Sequence, residues 1–306
     1  MTEMKVCAGI VLYNPDIERL TQNIRAVENQ VEKLIFVDNA SNNIDEIQEH
    51  FSNDNYVWIR NDTNIGIAAA LNQLINYANE NEYQWILTLD QDSICGSDLV
   101  GKLLAAAEKM SVEKGKPNAI GKIRSNGIDR IAMLAPLVND RGIIETETTP
   151  IDMNSEAEDV RMCITSGCLT NVKSVIDTGG FNEWLFIDEV DREMCLRLLL
   201  QGYRLIRVNT VELSHEFGLK TVTRRLLWKK VTYHNYTDFR IYYQIRNIVY
   251  MMRKYRNDYT PCLFRRWVRM FATFGVKFIL EPDRFRRLKA FTRGIYAGLK
   301  VNIKEV

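Results

Sequence analysis

The sequence predicts an α/β fold on a largely parallel sheet, and three observations carry that prediction. Apolar runs of strand length recur at 5–13, 33–38, 56–60 and 83–90. Segments with helical periodicity separate them, as successive βαβ units require. Three of the runs end on polar turn formers, Tyr13-Asn14, Asp38-Asn39 and Asp90-Gln91-Asp92. In such sheets ligands bind beyond the carboxyl ends of the strands.

The elements follow in order. KVCAGIVLY (5–13) is unbroken apolar sequence, which suits a strand buried on both faces. From Asp16 to about Gln30, the residues Ile17, Leu20, Ile24 and Val27 share one helical face. KLIFVDNAS (33–41) is a second strand closed by turn formers. A weaker helix, the strand YVWIR (56–60), a helix from about Ile65 to Ala78 and the strand YQWILTLD (83–90) come next. Further on, IAMLAPLV (131–138) and MCITSGCLT (162–170) read as strands, and the acidic IETETTPIDMNSEAED (144–159) as a mobile loop. NVKSVIDTGGF (171–181) reads as a short helix stopped by paired glycines. FIDEVDREMCLRLLLQGYRLIRV reads as a helix and then a strand. After ELSHEFG (212–218) the remainder reads as helical and basic.

With 306 residues, 46% hydrophobic and 26% charged, the chain can bury a large core. No N-terminal segment reads as a secretory signal, and arginines interrupt every apolar stretch near bilayer length. A cytoplasmic location, peripheral on the inner face of the cytoplasmic membrane, is the expectation. The cysteines Cys7, Cys95, Cys163, Cys168, Cys195 and Cys262 form no CxxC pair, so buried free thiols are expected. A net charge of +1 conceals a split. Residues 1–220 carry 20 Lys and Arg against 34 Asp and Glu, and residues 221–306 carry 20 against 5. The last third therefore has its own electrostatic task at an anionic partner.

Two carboxylates one residue apart at a strand end repel each other unless a cation joins them. Asp90 and Asp92 are therefore candidate ligands for Mg²⁺ or Mn²⁺, which take oxygen donors and bridge to phosphates. Asp38 is suited to accept hydrogen bonds from a base ring or a ribose hydroxyl. In NDTNIGIAAALN (61–72), Gly66 permits close backbone approach, and the helix start offers N–H groups to an anion. A second acidic cluster, FIDEVDRE (186–193), opens a helix. Asp188, Glu189, Asp191 and Glu193 there either complement the helix dipole or supply one carboxylate that takes a proton from an attacking hydroxyl.

In order, GIVLYN, VDNAS, NIGIAAALN, LTLDQDS, SGC, GGFNEWLFIDEVDRE and SHEFG resemble the family 2 glycosyltransferases of the GT-A fold, over about residues 5–250. LDQDS followed by FIDEVD is most similar to the bacterial rhamnosyltransferase branch that builds O-antigens and capsules. The resemblance implies an inverting enzyme with a Rossmann-like GT-A catalytic domain at 1–220, its donor half about 1–100 and its acceptor half about 101–220. A basic helical region at 221–306 follows. Asp38 is implied to read the pyrimidine with Tyr13 against the base, and Asn64, Gly66 and Asp90 to line the donor nucleotide. Asp90, Asp92 and His215 are the implied metal ligands, with Asp92 the direct one. For the catalytic base, alignment on CLR selects Asp191, with Glu193 as second acid; alignment on DEVD favours Asp188 or Glu189. Of these, Asp191 is the base that the resemblance is taken to imply. A segment like RIYYQIRN (240–247) in that branch makes Arg240 and Arg246 candidates for phosphate or acceptor contacts. The implied partners are a nucleotide-diphospho-sugar donor, dTDP-rhamnose or alternatively a UDP-hexose, and a glycan acceptor on a polyprenyl diphosphate lipid.

In the basic third, Tyr242, Ile245, Ile248 and Val249 are spaced as a packed helix face. CLFRRWVRMFATFGVKFIL (262–280) and DRFRRLKAFTRGIYAGLK (283–300) mix aromatic and basic residues. The mixture suits either an anionic membrane surface or a basic helical hairpin packed on the catalytic domain with its charges in water, and the former is the expectation. Two other classes make distinct demands. A nucleotidyltransferase needs a Gly- and Lys/Arg-rich first turn for a triphosphate, which LYNPD lacks. A nucleic-acid-binding protein using the basic tail would bind with a steep salt dependence and leave the carboxylates incidental. No nucleic-acid partner is expected.

Overall fold

The computed structural model describes residues 4–113, 116–122, 127–140, 143–144, 152, 155–214, 221–226, 229–234, 236–258, 260–280 and 283–303. The chain divides into two compact units, Met1–Glu183 with Asp191–Glu216, and Trp184–Val190 with Phe217–Val306.

The first unit opens with β1 (Val6–Leu12), α1 (Ile17–Val27), β2 (Lys33–Asp38), α2 (Ile44–His50), β3 (Tyr56–Arg60), α3 (Ile67–Glu80) and β4 (Trp85–Asp90). These strands pair in parallel, with β1 between β2 and β4 and β3 outside β2. Leu12 lies opposite Asp38 and Val11 opposite Asp90, so the polar turns arrive at one edge of the sheet. Asp16 starts α1 by accepting the Arg19 N–H at 2.9 Å. Helix α3 packs closely over β1, because a Cβ on Gly9 would sit 2.7 Å from the Leu74 side chain.

The unit continues through β5 (Ile94–Cys95), α4 (Leu99–Ser111), β6 (Ile131–Asp140), β7 (Ile143–Ile144), β8 (Ala157–Asp159), β9 (Cys168–Asn171), α5 (Val172–Asp177), α6 (Val190–Leu200, from Asp191 onward) and β10 (Arg204–Ser214). The sheet runs β3-β2-β1-β4-β9-β6-β10-β5, with β7 on β6 and β8 on β10. β9 is antiparallel to β4 and β6, and β10 returns parallel to β6. The α/β class with a mostly parallel sheet is as the sequence predicts. Ile10, Leu12, Phe36, Leu87, Leu134, Leu169 and Ile206 form the middle of its core.

Some details differ from expectation. In MCITSGCLT the strand begins only at Cys168, because Gly167 turns the chain at φ +74. The acidic stretch 144–159, much of it outside the described residues, ends in β8. There Glu158 and Asp159 bond Arg207 and Arg204 at 2.8 and 2.7 Å, which is how so polar a strand is accommodated. Cys7, Cys95, Cys163, Cys168 and Cys195 are buried free thiols, and burial pushes the Cys95 thiol up to about 11. The side chain of Cys262 lies outside the described residues.

The second unit contains an antiparallel hairpin of β11 (Thr221–Leu226) and β12 (Lys229–His234), then α7 (Asp238–Lys254), α8 (Thr260–Leu280) and α9 (Arg284–Lys300). The hairpin corrects the expectation of an all-helical tail. Thr221, Val222 and Thr223 pair with His234, Tyr233 and Thr232, and residues of β-branched and aromatic type favour a strand. Gly294 and Gly298 bring α9 close to α7: a Cβ would meet Tyr242 O at 2.8 Å and Arg246 O at 2.6 Å. Ile241, Ile245, Ala290 and Phe291 fill the contact. Among the described residues no helix is long and apolar enough to cross a membrane.

Candidate active site

The loop that leaves β4 is held from several sides. The Asp90 N–H donates to Ser166 Oγ at 3.0 Å, and the Asp90 carbonyl accepts from the buried Asn23 Nδ2 at 2.6 Å. The Asp92 carbonyl accepts from Arg19 Nε at 2.7 Å. Arg19 and Asn23 are one turn apart on α1, so one helix face grips both carbonyls. Gln91 turns to β1, accepting the Tyr13 N–H at 2.9 Å and donating to the Tyr13 carbonyl at 3.4 Å. Asp90 and Asp92 are thus half-buried carboxylates on a restrained backbone.

Among the described residues no group of three or more His, Cys, Asp and Glu is arranged to hold a metal ion. His215 lies outside the described residues. Two carboxylates at a half-open strand end are nevertheless a hard oxygen donor set. Such a set fits Mg²⁺ or Mn²⁺, ions that complete their shells with water and substrate phosphates.

The residues that the resemblance assigns to the nucleotide gather at the same edge. Tyr13 is 51% exposed. Asp38 is buried and turned into its own loop, where both carboxylate oxygens accept the Ser41 N–H at 3.1–3.2 Å. Ser41 Oγ in turn accepts the Asn14 N–H at 2.8 Å. Asn39 Nδ2 reaches the Gly66 carbonyl at 3.3 Å, and the Gly66 N–H donates to Asn64 Oδ1 at 2.9 Å. Gly66 has φ +87 and ψ 165, a conformation open in practice only to glycine.

The acidic cluster separates into distinct environments. Asp191, half-buried in the first turn of α6, accepts a hydrogen bond on Oδ1 from Thr165 Oγ1 at 2.9 Å. Thr165 and Ser166 are neighbours, so one turn touches both the Asp90 loop and Asp191. Glu193 is fully buried and pairs with Arg197 at 2.7 Å. Arg197 also donates to the carbonyls of Thr178 and Gly180, which ties down the glycine turn after α5. The structure thus commits Glu193 to an internal ion pair.

Within the second unit, Phe186, Asp188 and Glu189 have φ of +62, +62 and +64. Left-handed non-glycine residues cost about 1–3 kcal/mol each and persist only where their surroundings enforce them. Asn247, fully buried, directs Nδ2 at the carbonyls of Leu185, Ile187 and Asp188, each at 2.8 Å. Arg246 donates to Trp184 and Leu185 carbonyls and lies 3.9 Å over the Trp184 ring. Arg240 bonds Asp188 at 3.1 Å, and Arg266 Nε bonds Glu189 at 2.7 Å. Burial pushes the Asp188 carboxyl above its usual range, and Arg240 opposes that shift. Arg240 and Arg246 therefore hold the acidic segment in this structure. Arg19, Asn23, Thr165, Ser166 and Asn247 escape sequence reasoning, although Ser166 and Asn247 lie in the SGC and RIYYQIRN segments.

Comparison with known proteins adds four findings. The family described as Glycosyl transferase family 2 matches residues 7–178. The chain is similar to the dTDP-rhamnosyl transferase RfbF of Shigella flexneri, 26% identical over 253 residues that cover 81% of this chain and 80% of that protein. Among solved structures it is similar to GalNAc-T7 with UDP, GalNAc and Mn²⁺ (TM-score 0.57, 14% identity, 81% of this chain and 48% of that one). It is also similar to Staphylococcus aureus TarS 1-349 in complex with UDP-GlcNAc (TM-score 0.53, 15% identity, 99% of this chain and 77% of that one). The chain spans about half the length of the GalNAc-T7 chain. The likeness to these solved structures is one of fold, the GT-A fold.

Proposed function

Because the chain belongs to glycosyl transferase family 2 and is therefore a glycosyltransferase, we propose that it moves L-rhamnose from dTDP-rhamnose to a hydroxyl of a glycan acceptor, inverting the anomeric carbon. The likeness to RfbF supports this donor. One observation carries the reaction: Ser166 bonds the backbone of Asp90 while its neighbour Thr165 bonds the carboxylate of Asp191. A loop suited to a diphosphate and a single general base thus meet at one turn.

Asp191 takes the proton of the acceptor hydroxyl as that oxygen bonds to the anomeric carbon. The bond from that carbon to the phosphate oxygen breaks on the opposite face, and the nucleoside diphosphate leaves. One carboxylate suffices because the leaving group needs no proton, unlike the alkoxide released by a glycoside hydrolase. Asp90 and Asp92 would hold Mg²⁺ or Mn²⁺, whose charge offsets that of the departing diphosphate. The exposed ring of Tyr13 suits stacking against the base.

The acceptor is read as a cell-surface glycan on a polyprenyl diphosphate lipid. In support, α9 exposes Phe285, Leu288, Tyr296 and Leu299 along one face. Lys289, Arg293 and Lys300 lie beside them on the helix, a mixture that suits an anionic bilayer surface.

Transfer of labelled sugar from dTDP-L-rhamnose or from UDP-hexoses to polyprenyl-diphosphate-linked glycans tests the proposal. Label should reach the lipid fraction from dTDP-rhamnose, and Asp191→Asn should slow it by about 10²–10⁴-fold. Transfer from UDP-hexoses alone would replace the donor, and an undiminished rate in Asp191→Asn would remove the base.

A further inference from the structure

We infer that Thr165 is a positioning residue for the catalytic base, directing the Asp191 carboxylate from a turn that also fixes the Asp90 loop. The inference rests on Asp191 as the base. Thr165 is 7% exposed and Ser166 2% exposed, so neither side chain is held by solvent. The turn that carries them is pinned to β4 twice: Thr88 Oγ1 donates to the Thr165 carbonyl at 2.6 Å, and the Gly167 N–H donates to the Thr88 carbonyl at 2.7 Å. Gly167 is left-handed at φ +74, and a Cβ there would sit 2.8 Å from Leu213 and 3.2 Å from Pro136. The turn is therefore closely packed. Ser166 Oγ lies 3.0 Å from the Asp90 nitrogen and 2.7 Å from Ser93 Oγ.

The direction of the Thr165 hydroxyl is the informative feature. A buried threonine can satisfy its hydrogen with a nearby carbonyl, as Thr178 does with Ser174 O at 2.9 Å. Thr165 instead donates 2.9 Å across to a carboxylate from a distant part of the chain. The terminal torsion of an aspartate is broad, so a fixed donor on one oxygen selects its orientation. Base geometry matters steeply: a misplacement of about 1 Å can cost about 100-fold in rate. The neighbouring acid Glu193 is tied to Arg197 and does not share this role.

The test compares Thr165→Val and Thr165→Ser in the full chain. Thr165→Val keeps shape and removes the donor. We expect its kcat to fall about 10–100-fold, the range set by a hydrogen bond to a charged group, with donor KM and dTDP affinity within about twofold. Thr165→Ser should restore most of the rate. In an Asp191→Asn background, Thr165→Val should add no further loss, because the two act as one unit. A wild-type kcat in Thr165→Val, equal impairment in Thr165→Ser, or additive loss in the double variant would each overturn the inference. If Thr165→Val does not fold, as judged by its melting temperature, Thr165→Ala carries the same comparison. Asp191→Asn alone separates the two readings. If it retains the wild-type rate, the base assignment fails; if it is slow while Thr165→Val is not, only the positioning role fails.

Discussion

Arg240 meets Asp188 with its guanidinium 3.1 Å from the carboxylate, fastening a left-handed residue of the acidic segment to α7. Asp188 is mostly buried, so Arg240→Ala leaves a carboxylate with its cation removed. Breaking a fully buried pair costs about 3–5 kcal/mol, and less where one partner is partly exposed as Arg240 is. The sign of the pH dependence follows from the raised Asp188 carboxyl. A carboxyl raised on folding favours the fold while protonated, and that favour is lost as pH rises through the folded value. Arg240→Ala raises it further, so its loss in melting temperature should be larger near pH 7 than near pH 4. Adding Asp188→Asn should recover most of that loss. Equal losses at both pH values would argue against the pairing.

Asn247 offers a second check on the same segment. One amide group serves three carbonyls, those of Leu185, Ile187 and Asp188. Each buried polar group left unsatisfied costs about 1–3 kcal/mol. Asn247→Ala should therefore lower unfolding free energy in urea by at least about 2 kcal/mol. Asn247→Asp should be worse, since it sets negative oxygen against carbonyl oxygens. A stable Asn247→Asp would show that other contacts hold the loop.

Two glycines should respond to alanine with opposite signs. Gly66, at φ +87, must leave its conformation or store about 1–3 kcal/mol of strain as alanine. Gly101, inside α4 with open space around it, should gain about 0.5–1 kcal/mol from the same change. Thermal unfolding of both variants reads the signs directly. Gly66→Ala should also weaken nucleotide binding, whereas Gly101→Ala should not.

β1, β2 and β4 are legible because strands inside a parallel sheet are buried on both faces and leave unbroken apolar runs. The half-exposed edge strand β3 is legible from its β-branched and aromatic residues. Beyond β4 that signal fades. β8 is Ala-Glu-Asp, a polar strand supported by Arg204 and Arg207. β9 has only four residues, because the apolar Met162-Cys163-Ile164 that reads as its start lies ahead of the turn at Thr165-Ser166-Gly167. β11 and β12 escape because Arg224, Arg225, Lys229 and Lys230 break up the short β-branched runs Thr221-Val222-Thr223 and Val231-Thr232. The carboxylates of the site are legible as clusters, since like charges close together demand a reason. Their supports are not. Arg19 and Asp92 are 73 residues apart, and Thr165 and Asp191 are 26 apart. Such contacts leave no periodic trace, and backbone carbonyls as acceptors leave none at all. Arg240 and Arg246 show the complementary limit: a sequence announces an arginine but not the direction in which it points.

The most direct test is calorimetric binding of dTDP and UDP to the purified chain in Mn²⁺, in Mg²⁺ and in chelator, with Asp92→Asn alongside. We expect dTDP to bind in the presence of the divalent ion, and chelator or Asp92→Asn to abolish the binding. Equal affinity in chelator, an unaffected Asp92→Asn, or no binding of either nucleotide under any condition would contradict that expectation.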